Sequence, residues 1–542
     1  MRRTSSESEM SKESHVKMAA ATQRAQEDAR IMDPKGKGAV DVESEYMDEL
    51  VKVASAAGGR VLEIGYGMGI TARQFVGHGK IVQHVVCEPN QSVFKQALKH
   101  AHAVADRVAF NPLFGFWQEI TPGLRSGSFD AILYDTFPDP VDAGFFGEAR
   151  RLLRPGGTLT FVWSRCGSED PAASRGIECD NWQKAIDLMA NATSNPWLPE
   201  ELGSPEARMP KEVVLDVFQP CSADNHWHCP ASKRTFLVPN VVKKRSNDKD
   251  GKEKEGAGGD GYDPPSNRTE VDEQTVQLRK NNPHANVRYT NTYYPHAKAA
   301  AVAGVATVST RASWQQAELW ALRAELKGEK PGMDALVIHG HIVMDTEESE
   351  YMKDLAKLIA TEPRPPAAKR GRTLEVGFGM GISARAIQSQ NVSEHVIIEA
   401  NVKVMEQLID TFAGEGLKGG SIRPLLGFWQ EILPTLEDDS FDAILFDPFP
   451  NDDMQILQGV VHQLIFMEHA HRVLKPGGVY TYMSGECDED VIARDKNVIL
   501  AAGFMPENVQ LRCALYPMVQ HCPTYPKCEE EDRSVTIAVL HK

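Results

Sequence analysis

In the second half of the chain, short continuous apolar runs alternate with longer stretches whose apolar positions recur every three or four residues. Thr373–Val376 is such a run and ends in glycines, predicting a strand that enters a tight turn. Ile382–Gln388 predicts a helix, Glu394–Glu399 a second strand, Val402–Phe412 a helix and Phe441–Phe446 another strand. Leu464–Val473 reads as a helix running into Lys475-Pro476-Gly477-Gly478, with a strand at Val479–Met483. Val509–Tyr516 and Ser534–Leu540 are late β-like segments, and Trp314–Lys327 upstream has helical character. This alternation predicts an α/β fold with a parallel, doubly wound sheet, right-handed crossovers and a closing antiparallel hairpin. Ligands on such sheets sit at the carboxyl ends of the strands.

The same pattern is written twice. Gly59-Arg60-Val61-Leu62-Glu63-Ile64-Gly65-Tyr66-Gly67-Met68-Gly69-Ile70 recurs as Gly371-Arg372-Thr373-Leu374-Glu375-Val376-Gly377-Phe378-Gly379-Met380-Gly381-Ile382. Gly115-Phe116-Trp117-Gln118-Glu119-Ile120 recurs at Gly427–Ile432, and Ser128–Asp135 recurs at Ser440–Asp447. All three blocks keep one offset, 312 residues, as from Gly65 to Gly377. A period that long means a duplicated domain, since solenoid repeats run about 20–50 residues. Residues 1–27 and 243–288 are rich in charge and poor in apolar side chains, so they read as a disordered tail and a flexible linker. Domain one is then 28–242 and domain two 289–542.

Composition narrows the partners. With 59 basic against 75 acidic residues the net charge is -16, which argues against nucleic acid or an anionic membrane and leaves small molecules and proteins. The start of the chain has no apolar signal region, and the longest small-apolar run, Ala299–Val308, is far short of the roughly 20 residues a span requires. Nine scattered cysteines indicate no disulfide framework, and a reducing cytoplasmic location is expected. Cys221, His226, His228 and Cys229, and separately His521, Cys522 and Cys528, lack paired C-x-x-C spacing, so no metal site is assigned.

Three features carry chemistry. The turn glycines Gly65, Gly67 and Gly69 (Gly377, Gly379 and Gly381 in domain two) allow close backbone approach at a strand-to-helix junction. Ile70 and Ile382 stand where a dinucleotide fingerprint needs its third glycine, so E-x-G-x-G suits a ligand without a pyrophosphate, such as S-adenosyl-L-methionine. A ligand-free tight turn is the alternative. Next, Glu88 and Glu399 end the second strand, roughly 20 residues on, where a carboxylate can accept both ribose hydroxyls of a nucleoside. Finally, Asp135 and Asp447 end the fourth strand, placed to hold an acceptor nitrogen in line or else to close an Asx turn before proline. Upstream, Glu43-Ser44-Glu45-Tyr46-Met47 matches Glu348-Ser349-Glu350-Tyr351-Met352.

With these blocks and the L-[RK]-P-G-G turn, each half resembles guanidinoacetate N-methyltransferase and, more distantly, the fungal-type protein arginine N-methyltransferase. The resemblance spans most of each half. It implies two tandem Rossmann-like S-adenosyl-L-methionine-dependent methyltransferase domains acting on a small guanidino or amine substrate, with guanidinoacetate the first candidate. It implies cofactor contacts from Met47, Glu63, Gly65, Tyr66, Gly67, Met68, Gly69, Ile70, Glu88, Pro89 and Asn90, with Trp117 and Gln118 bordering the adenine. In domain two the same roles fall to Met344, Met352, Glu375, Gly377, Phe378, Gly379, Met380, Gly381, Ile382, Glu399, Ala400, Asn401, Trp429 and Gln430. The acceptor guanidinium would lie between Glu43 and Asp135, or between Glu348 and Asp447, with the aspartate as base.

The sequence also departs from the family. Where the family's fifth-strand loop holds the substrate carboxylate around a Leu-Thr pair, this chain has Ser164-Arg165 and Gly485-Glu486. Pro448 replaces a threonine, Ala39 replaces a methionine, and domain one is nine residues shorter between Asp135 and Gly156 than domain two between Asp447 and Gly477. The two sites therefore need not share a substrate, and one copy could be a non-catalytic scaffold. The Trp314/Trp320 segment is a candidate lid, and the fused pair is a candidate imitation of a homodimer.

Overall fold

A computed structural model describes residues 39–136, 143–165, 182–192, 194–203, 207, 210–216, 233–245, 319–323, 334–338, 341–359, 370–390, 392–412, 422–448, 466–487, 489–516 and 533–542. Both Cys/His clusters, the 1–27 tail, Trp314 and linker residues 246–288 lie outside them. The chain divides into two compact units, Met1–Asp260 and Gly261–Lys542.

In unit one the strands are β1 (Gly59–Ile64), β2 (Ile81–Glu88), β3 (Ala109–Phe114), β4 (Phe129–Tyr134) and β5 (Leu153–Phe161), followed by β6 (Trp163–Arg165), β7 (Lys211–Asp216), β8 (Lys233–Val238) and β9 (Val241–Val242). The main sheet has the order β3-β2-β1-β4-β5-β9. Its first five strands are parallel, with Val61 level with His84 on one side and Ala131 on the other, and β9 closes it antiparallel to β5. Only Val162 separates β5 from β6, which continues into a small antiparallel sheet, β6-β8-β7. Val61, Leu62 and Ile64 are fully buried, as expected of a strand covered by helices on both faces. Lys243 exchanges backbone hydrogen bonds with Gly156 and Gly157, so the sheet runs one residue past the boundary expected at 242.

Unit two repeats the plan. An antiparallel β10 (Leu319–Arg323), β11 (Asp334–Ile338) and β12 (His341–Asp345) come first. Then β13 (Arg370–Val376), β14 (Val392–Glu399), β15 (Ile422–Leu426), β16 (Phe441–Phe446), β17 (Leu474–Glu486), β18 (Val509–Tyr516) and β19 (Arg533–His541) form a sheet of order β15-β14-β13-β16-β17-β19-β18. The closing pair is antiparallel, as the two late β-like segments predict. Reversal of strand order beside β13, as beside β1, opens the crevice where this architecture binds ligands.

Three expectations are corrected. Within Trp314–Lys327, residues Leu319–Arg323 are strand, because they pair with Asp334–Ile338; cross-strand partners override a helical local preference. The Lys475-Pro476-Gly477-Gly478 turn is absorbed into β17, with Gly477 N donating to Lys542 O at 2.7 Å and Lys542 N to Gly478 O at 3.1 Å. Cys487, just past β17, is disulfide-bonded to Cys513 in β18, with Cα atoms 5.6 Å apart; nothing in the cysteine count signals this pair. Among the described residues no helix is long and apolar enough to cross a membrane.

Candidate functional site

The glycine turns are required by geometry. Gly65, Gly67 and Gly69 have φ of 92°, 52° and 68°, and Gly377, Gly379 and Gly381 have 89°, 52° and 70°, the left-handed region that glycine enters without a Cβ penalty. A Cβ on Gly65 would lie 2.2 Å from the carbonyl oxygen of Asp135, so the turn presses against the end of β4. A Cβ on Gly67 would meet nothing within 4 Å. The middle of the turn is thus an open backbone cradle. In unit two Met344 covers the equivalent place: its Sδ accepts from Met380 N at 3.1 Å, and its Cε would lie 2.6 Å from a Cβ on Gly379. Tyr66 and Phe378 turn inward and pack under Gly69 and Gly381. Met68, Met380 and Ile70 are half-buried, and Ile382 is nearly buried, at the start of each following helix.

Each strand-two glutamate is gripped by this turn. Glu88 accepts Tyr66 N–H on Oε2 at 3.0 Å and Asn90 N–H on Oε1 at 2.7 Å; Glu399 accepts Phe378 N–H at 3.0 Å and Asn401 N–H at 2.7 Å. Burial pushes the Glu88 carboxyl up to about 7 against the pull of those amides, and raises Glu399 for the same reason. Backbone N–H groups hold both carboxylates in one orientation at a strand end, and a carboxylate fixed in this way can accept hydrogen bonds from the hydroxyls of a ribose. Pro89 and Ala400 follow half-buried, while the Asn90 and Asn401 side chains cap the next helix by accepting two backbone N–H groups each.

The G-F-W-Q block is tied to the same glutamates, since Gly115 N donates to Glu88 O at 3.2 Å and Gly427 N to Glu399 O at 2.9 Å. Trp117 packs edge-on to Phe145 and Trp429 edge-on to Phe446 and Phe466, while Gln118 and Gln430 are exposed. Met47 and Met352 are buried in the helices Ala39–Ser55 and Ser349–Leu358.

Glu63 and Glu375 sit differently. Both are fully buried, and each accepts a hydroxyl, from Thr71 or Ser383, while His84 Nε2 lies 2.8 Å from Glu63 and His395 Nε2 2.9 Å from Glu375. They brace the turn from within. No sequence motif marks the histidines and hydroxyls, although both recur at matching places in the two halves.

The aspartates stand beside the turns: Asp135 N donates to Ile64 O at 3.0 Å and Asp447 N to Val376 O at 3.1 Å. Asp447 keeps some exposure, but surrounding protein and the nearby Glu375 charge lift its carboxyl to about 7, while a 3.2 Å hydrogen bond from the Tyr351 hydroxyl works against that rise. Glu348 ends the one-turn helix Thr346–Glu348, three residues before Tyr351. Glu43 is in the helix Ala39–Ser55; its side chain, like those of Ser164, Arg165, Trp320 and Glu486, lies outside what is described.

Comparison with known proteins bears on this geometry. The profile described as guanidinoacetate N-methyltransferase matches residues 4–167 and again 310–522, together more than half of the chain. Protein arginine N-methyltransferase 2 of Gibberella zeae is 29% identical over 153 residues, 27% of this chain and 32% of that protein. Its namesake from Yarrowia lipolytica is 31% identical over 163 residues, 29% of this chain and 32% of that one. The chain thus spans about a third of the length of these relatives. Among solved structures, spermidine synthase from Thermotoga maritima is similar at 16% identity and a TM-score of 0.28, covering 41% of this chain and 72% of that one, too distant to bear on function.

Proposed function

Because the chain belongs to the guanidinoacetate N-methyltransferase family, we propose that it methylates a nitrogen of a small guanidino compound, guanidinoacetate to creatine foremost. The cofactor is S-adenosyl-L-methionine. When bound it supplies an electrophilic methyl group on a sulfonium. The open backbone at Gly67 and the fixed carboxylates of Glu88 and Glu399 fit its nucleoside.

The observation that carries the reading is Asp447: a carboxyl at the end of β16, against the turn, with its pKa near neutrality. A guanidinium is a poor nucleophile because its lone pairs are delocalised. A carboxylate that accepts two of its N–H groups localises the charge and aims the remaining nitrogen. The same carboxylate takes the proton released as the new N–C bond forms, and a base near pH 7 suits that task. Holding the nitrogen in line supplies much of the rate. Asp135 occupies the same place in unit one. Creatine synthesis in the cytoplasm is the setting this reading implies.

Arginine or another small amine is the second reading, favoured by the names of the curated relatives. The test is mass-spectrometric detection of methyl transfer to guanidinoacetate, arginine, an arginine-containing peptide and glycine by the full-length protein. Methylation of guanidinoacetate above the others supports the first reading. Methylation of arginine or the peptide alone selects the second, and no product with any guanidino compound refutes both.

A further inference from the structure

The two copies of the E-S-E-Y-M tyrosine have parted company. In unit one the Tyr46 hydroxyl donates to Leu237 O at 2.7 Å and accepts from Trp163 N at 3.1 Å, with its ring against Phe236 at 4.7 Å. A phenol has one proton. Tyr46 gives it to the backbone of β8 and so ties the helix Ala39–Ser55 to the small sheet; the proton does not go to Asp135. In unit two the Tyr351 hydroxyl donates to Asp447 Oδ2. Its ring is set by an edge contact with Tyr516 at 6.0 Å, and the Tyr516 hydroxyl is itself held by Asp354 at 3.3 Å.

We propose that Tyr351 is a positioning residue for methyl transfer in unit two: by fixing Oδ2 of Asp447 it turns Oδ1 toward the acceptor nitrogen and favours the ionised carboxylate. The proposal rests on Asp447 being the acceptor's carboxylate. An O–H donor stabilises a carboxylate and does little for the protonated acid, so it opposes both burial and the Glu375 charge on β13. The other charged groups around the tyrosine pair, Asp354, Glu350 and Arg512, act on Tyr516. Among the described residues of unit one the matching hydroxyl, that of Tyr46, donates to Leu237 O instead, so the two sites respond differently to loss of the hydroxyl.

The experiment uses the full-length chain with Asp135→Asn, so that turnover reports unit two, and compares it with and without Tyr351→Phe. Difference infrared spectroscopy against Asp447→Asn follows the Asp447 carboxyl directly, and kcat with guanidinoacetate is measured across pH. The expected result is a carboxyl titration raised by about half a unit or more, an acid limb of kcat raised with it, and kcat down about twofold or more at pH 7. Cofactor affinity stays unchanged. Tyr46→Phe should lower the melting temperature and leave the Asp447 titration where it was. A titration that Tyr351→Phe does not move, or that Tyr46→Phe moves equally, overturns the proposal. A titration that moves while no guanidino compound is methylated supports the tyrosine–aspartate coupling and overturns the functional reading instead.

Discussion

Replacing Glu88 by glutamine separates its burden on stability from its service to the ligand. Burial lifts this carboxyl from 4.5 to about 7 in the folded protein. That gap means that ionised Glu88 costs the fold about 3 kcal/mol above pH 7. The sign follows from the raised folded value: the cost is absent below about 4.5 and fully present above about 7, so its contribution lowers stability as pH rises through that window. Glutamine removes the charge but turns an NH2 toward either the Tyr66 or the Asn90 N–H, and one mismatched buried donor costs about 1–3 kcal/mol. The two nearly cancel, so Glu88→Gln should melt within a few degrees of wild type at pH 8 and show a flatter dependence of stability on pH. Ligand binding has no such compensation. Loss of one charge-assisted hydrogen bond to a ribose hydroxyl, about 1.5–3 kcal/mol, weakens cofactor binding roughly 10–100-fold at that site. Isothermal titration of the full-length protein reads this as one weakened and one intact site, and Glu399→Gln does the same to the other. Wild-type affinity at both sites in the double variant, with the fold intact, would refute the ribose assignment.

Other predictions follow from the same geometry. Gly65→Ala should destabilise unit one severely, since its Cβ meets Asp135 O at 2.2 Å, whereas Gly67→Ala should fold with a cost of about 1 kcal/mol and lose cofactor affinity; melting curves and titration separate them. His395→Ala removes a fully buried ring and leaves a void beside Glu375, which should cost about 2–5 kcal/mol in urea denaturation, with unit one's transition unchanged. With Asp447 raised to about 7, unit-two turnover should climb with pH and level off above that value, since only the ionised carboxylate accepts the proton; a profile flat from pH 5 to 8 would count against its role as base.

How much of this was legible in the sequence varied with the kind of interaction. The glycine turn, the strand-two glutamates and the strand-four aspartates were legible because each depends on local chain geometry at a strand end and each occurs twice. The strand at Leu319–Arg323 was not, because its state is decided by a partner fifteen residues away in sequence, Leu336 opposite Ala321 among others. Glu63 lies next to the turn in sequence, but alternation along β1 does not reveal that it points to His84 on the neighbouring strand. Tyr46 and Tyr351 are the sharpest instance. Identical motifs give no warning that one hydroxyl serves the backbone of β8 and the other a carboxylate, because that choice is made by elements far along the chain.

The strand-four aspartates are proposed to serve methyl transfer to a guanidino nitrogen. The most direct test of this role is formation of methylated guanidinoacetate by the full-length chain carrying Asp135→Asn, Asp447→Asn or both, with cofactor binding confirmed for each. Asp447→Asn should lower unit-two turnover about 100-fold or more, and the double variant should form no product above background. Turnover at the wild-type rate in the double variant would contradict this role.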